Sequence, residues 1–498
     1  MTSLMWPALV ALCGVPVVYA DLGRNDLGRK DNDTYISRTE AAADLEVLKE
    51  CIGGNSSYIW SVTFPFAQSI ERMQAKLPDK VSVNGLSTQI NKLVRLFGDD
   101  HAQVIDWAAR VPPGYTSFQF GKADKRYFLY SGAPAGFVNA DFPFVRSIDG
   151  VLIEEWFRVA GDIGQGPLSS AAARFARGVR LMRHINYMRG EMGLPVRPDI
   201  ALEMVSADGA RAIHLKLPVA TALDETTKPF NLPAHSRLLD GNIGYLRVAA
   251  HRGKEGDELR DSIDRLMREF RNTEALIIDA RQSGGGKREI LNALFPYFMP
   301  PGSPPYVFNV AKVRIPQGDK TFDPLAVFDS PDKRLLYAQN PKNPADEAAA
   351  YRQFAVSFQP VWSPPAGKFT DWYFMTQRAD PLKRFYSRPV YVLIDWGIGS
   401  AGDIFVSAFK DWRDVTLVGT PTMGRSGHGR EFLLPHSKLV VNLSTMASFQ
   451  KTGQLYDTVG IAPDVPMEPV PTDWFGTTDT VLARAKAMAA AAIDANRK

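Results

Sequence analysis

Cysteine is almost missing from this chain: only Cys13 and Cys51 occur in 498 residues. That rules out a disulfide scaffold. Basic runs are missing too. The net charge is +4, and no block of five or six lysines and arginines occurs, so composition gives no electrostatic case for nucleic acid. Beyond the apolar N-terminus no stretch approaches about 18 apolar residues, the length a spanning helix needs. The histidines (His101, His184, His214, His235, His251, His428, His436) show no H-E-x-x-H or related spacing, so no metal centre is expected, and no organic cofactor is implied. What is present is ordinary globular material: 45% hydrophobic and 22% charged residues, enough for several cores.

Ser3 to Ala20 is apolar and ends Val18-Tyr19-Ala20 before Asp21. The pattern suits a signal peptide cleaved after Ala20 (residues 1–20), although no lysine or arginine precedes the apolar run. Cleavage would remove Cys13 and leave Cys51 as a lone, buried thiol. The expected destination is secreted or periplasmic, with no integral membrane span after cleavage. Residues 21–110 read as a helical domain, with amphipathic helices at Thr39–Cys51, Ser69–Leu77 and Gly85–Phe97. The last breaks at Gly98 and delivers Asp99, Asp100 and His101 into a loop. Residues 111–225 change character to short strands: Tyr127–Tyr130, Pro143–Ile148, Ile200–Val205 and Ala212–Leu217. Ser170–Gly190 reads as one helix whose arginines (174, 177, 180, 183, 189) form a solvated face.

Residues 238–475 are expected to form an α/β core, with residues 476–498 as a closing helix. Strands are expected at Ile243–Val248 and Ala275–Ala280. The second runs into Arg281-Gln282-Ser283-Gly284-Gly285-Gly286. An insertion at about 300–388 is rich in proline and aromatics and has little periodicity. The stretch Pro389–Phe409 then repeats the strand, glycine turn and helix. An apolar run leads to Trp396-Gly397-Ile398-Gly399, and Ser400 opens a helix from Ala401 to Phe409. The first N–H groups of that helix are unpaired and its dipole favours negative charge. A serine there can be a nucleophile with oxyanion donors at hand, or simply an N-cap. Gly397 to Gly402 also fits the letters of a dinucleotide fingerprint. No acid follows the next strand, Val415–Val418, as that motif requires.

Several of these pieces occur together and in order: Gly241–Leu246, Leu276–Gly286, Val390–Phe405, Leu417–Thr422 and Gly460-Ile461-Ala462-Pro463-Asp464. In this the chain resembles the C-terminal processing (tail-specific) serine peptidases, including their tricorn-core-like branch, across Asp240 to Met467. The resemblance implies a multi-domain α/β fold: a crotonase/ClpP-like ββα core, preceded by an N-terminal helical domain and a PDZ-like β-rich domain. It implies a serine endopeptidase with a polypeptide substrate. The branch that pairs serine with lysine places that lysine where Arg425 stands here, and arginine stays protonated. The other branch takes a histidine from a Gly-Asp-x-His setting, matched by Gly98-Asp99-Asp100-His101. Its carboxylate precedes the Gly-Ile-x-Pro-Asp turn, where Asp457 stands in place of the usual glutamate. The resemblance therefore implies Ser400 as nucleophile, His101 as base and Asp457 as orienting acid. The N–H groups of Ala401 and of Gly284 or Gly285 would be the oxyanion donors. His428 is the rival base. The alternatives are a non-catalytic ligand- or peptide-binding protein on the same fold and, more remotely, a crotonase-like acyl-CoA enzyme.

Overall fold

The computed structural model describes residues 33–132, 135–224, 230–328 and 335–497. The expected signal peptide lies outside them. The first helix starts where the sequence provides a cap. Ser37 accepts from the Glu40 N–H at 3.2 Å, and the Glu40 carboxylate accepts from the Ser37 N–H at 2.7 Å. This reciprocal pairing satisfies two N–H groups that a helix start otherwise leaves open. Helices Arg38–Asn55, Phe66–Ala75 and Val83–Val94 follow, and Leu45, Leu48, Cys51 and Ile52 are buried. Burial pushes the Cys51 thiol up to about 12, so it behaves as a small hydrophobe. Gly98, at φ +68°, turns the chain out of the last helical turn, as its lack of Cβ permits.

The second region is an antiparallel sheet. Its order is Ala212–Pro218, Asp199–Val205, Phe144–Ile148, Arg126–Gly132 and Gln119–Ala123. Two expectations fail here. Ser170–Gly190 is two helices, Ala171–Leu181 and Ile185–Glu191. The break falls where the Arg183 carbonyl accepts from the Thr116 N–H at 2.9 Å and the His184 ring packs on Tyr115 at 5.2 Å. Nor is the arginine face uniformly solvated. Arg189 is fully buried and pairs with Asp149 at 2.7 Å. It also donates to the Arg197 and Asp199 carbonyls. Arg174 pairs with Asp162, and Arg177 donates to Gln165. Helical periodicity identified the face, but tertiary partners decide what covers it.

The core sheet runs Arg237–Leu239, Ile243–Arg247, Ala275–Asp279, Val390–Ile394, Val415–Gly419 and Val465–Pro466. All neighbours after the first pair are parallel. Every residue of the Ile243, Ala275 and Val390 strands is buried, which is why they read as unbroken apolar runs. The register sets Asp279 against Leu393, so both glycine turns leave the same edge of the sheet. Helix Thr480–Arg497 packs on these central strands through Ala485, Ala489 and Ile493.

Residues 300–388, expected as an insertion with little periodicity, contribute strands to a sheet. Tyr306–Val313 and Tyr373–Gln377 pair with each other, and the former also pairs with Met446–Gln450. The strand pattern was masked by Asn309, which is buried and bonded to Ser448 at 3.2 Å. A smaller sheet joins Gly429–Leu433, Val440–Ser444 and Gln103–Val104. The short strand just after His101 is thereby stitched to the core.

The Arg189–Asp149 pair yields a stability prediction. Arg189→Met leaves Asp149 buried without its cation, which typically costs about 3–5 kcal/mol. A loss of unfolding free energy of that size, read from urea denaturation, is expected; a change below about 1 kcal/mol would mean that Asp149 finds another partner.

Candidate active site

The strand Val390–Ile394 runs into Asp395, and after Trp396 to Gly399 the chain reverses at Ser400 into the fully buried helix Ala401–Phe409. Ser400 stands at the junction with φ 59° and ψ −122°. This region of backbone space is sparsely populated for a residue with a Cβ and costs about 1–3 kcal/mol. The surroundings hold it there. The Gly402 backbone sits so close to the Ser283 carbonyl that a Cβ would fall 2.7 Å from that oxygen. The Ser400 side chain makes no helix-capping bond, so the hydroxyl is not spent on the N-cap role.

The second glycine turn lies directly against the first. A Cβ on Gly285 would fall 2.8 Å from both Ala401 N and Ser400 Cβ, and Gly285 has φ +92°. Only glycine can bring backbone this close. Gly284 is exposed and its α-carbon faces open space. Asp395 ties the two turns together. Its carboxylate accepts from Gln282 N at 2.9 Å, Gln282 Nε2 at 2.6 Å and Gly397 N at 2.9 Å. Gln282 also fills the space beside Gly397, so this loop is packed against protein and leaves no berth for a dinucleotide.

His101 arrives from the helical domain on a clamped loop. The buried Asp99 carboxylate accepts from His101 N (2.9 Å), Ala102 N (3.2 Å), Ser444 N (2.8 Å) and Ser444 Oγ (2.6 Å). Asn442 Nδ2 donates to the His101 carbonyl at 2.8 Å. The ring is 9% exposed. It lines a cavity of about 150 Å³ together with Ser400, Ala401, Gly286, Lys287, Arg288, Phe328, Ser426, His428 and Met446, among others. Ser400 and His101 thus share one cavity, and no hydrogen bond joins them among the described residues. Burial, and then the charges of Arg425, His428, Arg177 and Arg95, hold His101 well below the ordinary histidine value of 6.5. The imidazole is neutral near pH 7 and can accept a proton.

Asp457 is brought beside this histidine but not onto it. One donor atom from each of Asp99, His101 and Asp457 lies within 4.8 Å of the others. The Asp457 carboxylate accepts from Tyr58 Oη at 2.7 Å, Asp100 N at 3.1 Å and Ser426 N at 3.2 Å, while His101 Nδ1 has no hydrogen-bond partner. Burial and the neighbouring Asp100 and Asp99 charges push Asp457 well above the ordinary carboxylate range. Burial also carries Asp100 up to about 7. Three ligand atoms this close also have the spacing of a cation site. The bonds already made by both carboxylates, and the arginine charges around them, argue for clamps instead.

Arg425 does not line the cavity. Its charge acts on the Asp100, Asp457 and Asp99 carboxylates and on the His101 ring. The loop that carries it is fixed by Asp403, which accepts from Gly424 N at 3.1 Å and Arg425 N at 2.8 Å. His428, the rival base, lines the same cavity and packs edge-on against Phe328 at 5.6 Å. Sequence reasoning missed Tyr58, Asn442 and Ser444. They bond to Asp457, to the His101 carbonyl and to Asp99, and no local motif marks them.

The model of the family described as Peptidase family S41 matches residues 242–467. Among solved structures, mature CPAF complexed with lactacystin superposes with a TM-score of 0.63 at 16% identity, covering 92% of this chain and 99% of that one. At that identity the likeness speaks for the fold: a multi-domain α/β architecture common to both. The carboxy-terminal-processing protease of Bartonella bacilliformis is 30% identical over 90 residues, 18% of this chain and 20% of that protein. The Chlamydia pneumoniae protein CPj1016/CpB1054 is 32% identical over 85 residues, 17% of this chain and 14% of that protein. The matched segment therefore spans a fifth or less of either curated relative.

The Gly285 contact gives a direct test of the geometry. Gly285→Ala keeps its N–H but forces the two turns apart, and it is expected to slow labelling of Ser400 by a fluorophosphonate by roughly 10²-fold, the scale of an oxyanion donor moved out of place, with far-UV circular dichroism checking that the fold is kept. Unchanged labelling would separate Gly285 from the reactive centre.

Proposed function

The chain carries a domain of peptidase family S41 across residues 242–467, and we propose that it is a serine endopeptidase cleaving polypeptides through an acyl-enzyme at Ser400. The observation that carries this reading is the cavity shared by Ser400 and His101. A strained serine at a helix start and a neutral histidine face the same space from two different domains.

In this mechanism Ser400 Oγ attacks the scissile carbonyl carbon while His101 Nε2 takes its proton. The carbonyl electrons move onto oxygen, where the Ala401 and Gly285 N–H groups receive them. Gly284 is the less buried alternative donor. Collapse breaks the C–N bond, and the imidazolium returns its proton to the departing amine. Water, deprotonated by the same imidazole, then releases the acyl group and restores Ser400. Asp457 acts as the orienting acid from its place beside the ring. With its bonds directed to Tyr58, Asp100 and Ser426, it holds the domain junction around His101. Substrate binding closes the remaining gap between Ser400 and His101; such tightening from an unliganded state is common. The strand-rich region of residues 111–225 would act as a PDZ-like module that presents the polypeptide. No helix among the described residues is long and apolar enough to cross a membrane. A secreted or periplasmic location, after cleavage behind Ala20, is part of the same proposal.

A second reading is a binding protein on this fold without catalysis. The missing Ser400–His101 hydrogen bond favours it. Hydrolysis of an unstructured protein substrate separates the two: activity in the native protein that disappears in Ser400→Ala supports the peptidase, and equal turnover in both ends it.

The pH dependence has a definite sign. His101 must be neutral to act as base, and its folded value lies below 6.5. The acidic limb of kcat/KM is therefore expected below pH 6.5, with no loss between pH 8 and 7. The same shift means that the fold loses stability as pH falls from 6.5 toward the folded value. An acidic limb centred above 7 would contradict a buried, neutral base.

A further inference from the structure

Among the described residues, basic side chains line the cavity at Ser400. Lys287 and Arg288 follow directly on the Gly284–Gly286 turn and line it on that side, and His428 contributes from the Ser426–Gly429 loop. Among the described residues that line it, none is an aspartate or glutamate. The acids nearest His101 are turned to other work. Asp99 and Asp457 are fully buried and occupied by Ser444, Tyr58 and backbone N–H groups. The Lys287 ammonium reaches Asp257 at 3.5 Å and Glu289 at 3.9 Å. Those pairs are long, and the side chain is 46% exposed, so water screens them and the ammonium can swing toward a ligand. Phe328 and Met446 supply apolar surface beside the cations and are both largely buried. A cavity of about 150 Å³ with an apolar patch and a cationic rim matches a short methylene stem ending in a carboxylate.

Resting on the peptidase reading, we propose that this cleft selects polypeptides with a glutamate or aspartate side chain next to the bond presented to Ser400. An acidic side chain meets complementary potential, whereas a lysine or arginine there meets like charge in a partly desolvated space. Discrimination therefore comes from repulsion as much as attraction. The preference belongs to Lys287 and Arg288, which lie outside the set that moves protons. It is separable from catalysis.

The test uses the Ser400→Ala protein, so that binding is read without turnover. Labelled alanine-based octapeptides carry one glutamate or one lysine at each position in turn. They are acetylated and amidated, so the side chain supplies the only carboxylate. Fluorescence anisotropy is expected to show glutamate favoured over lysine by roughly 10-fold at one or two adjacent positions. The preference should shrink in 0.5 M salt, roughly a 4 Å screening length. Introducing Lys287→Glu and Arg288→Glu should abolish or invert it, with Lys287→Gln giving an intermediate ratio if the double variant folds poorly. Equal affinities in the Ser400→Ala protein, or a preference that survives both charge reversals, would overturn the proposal. The peptidase reading fails separately. A glutamate preference in binding with no cleavage by the native protein would leave the selective cleft standing and remove the catalysis.

Discussion

Asp395 is the constraint on which the rest depends. It sits at the end of a strand buried on both faces, and its carboxylate gathers three N–H groups from two different glycine turns. Burial pushes its carboxyl above the ordinary carboxylate value, and the donors from Gln282 and Gly397 work against that rise. Without this staple the two turns would be independent loops at the edge of a parallel sheet. With it, Gly285 is pressed against Ser400 and Ala401, and the strained serine backbone has nowhere to relax. On the proposed mechanism, charge that develops on a bound carbonyl would find N–H groups already in place, with little reorganisation left to do.

The other half of the site is supplied from a distance. His101 belongs to the helical domain, yet Asp99 and Asn442 bind its loop to the Val440–Ser444 strand, and Gln103–Val104 add a strand beside it. Tyr58 and Asp100 fasten Asp457 from the helical side while Ser426 holds it from the core. The histidine is thus placed by a polar, buried domain junction. Such junctions are costly to leave half-satisfied. Burial carries Asp100 up to about 7 and the Asp99 charge adds to the rise, while the charges of Arg95, Arg177 and Arg425 act on these acids from close by.

Much of this was legible in the letters. Unbroken apolar runs at Ala275 and Val390 followed by glycine turns announced a doubly covered parallel sheet, and Ser400 at the turn announced a helix start, which the structure sets at a cavity. The helix Ala401–Phe409 has the expected bounds. Three kinds of feature were not legible. The strands Tyr306–Val313 and Tyr373–Gln377 hide because buried Asn309 and Thr376 interrupt their pattern, each with a partner distant in sequence, Ser448 and Glu347. The arginines of Ala171–Leu181 and Ile185–Glu191 look solvated because helical spacing cannot reveal that Asp149 and Gln165 wait beneath them. Tyr58 could not be found at all, since its importance lies in one bond to Asp457 across the domain junction.

The most direct measurement is intact-mass spectrometry of the native protein, acid-quenched within milliseconds of mixing with an activated peptide ester. The account predicts a mass gain of one acyl group, mapped to the peptide containing Ser400, and a much slower gain in His101→Ala. No adduct on the native protein, or an adduct that forms as fast in Ser400→Ala, would contradict it.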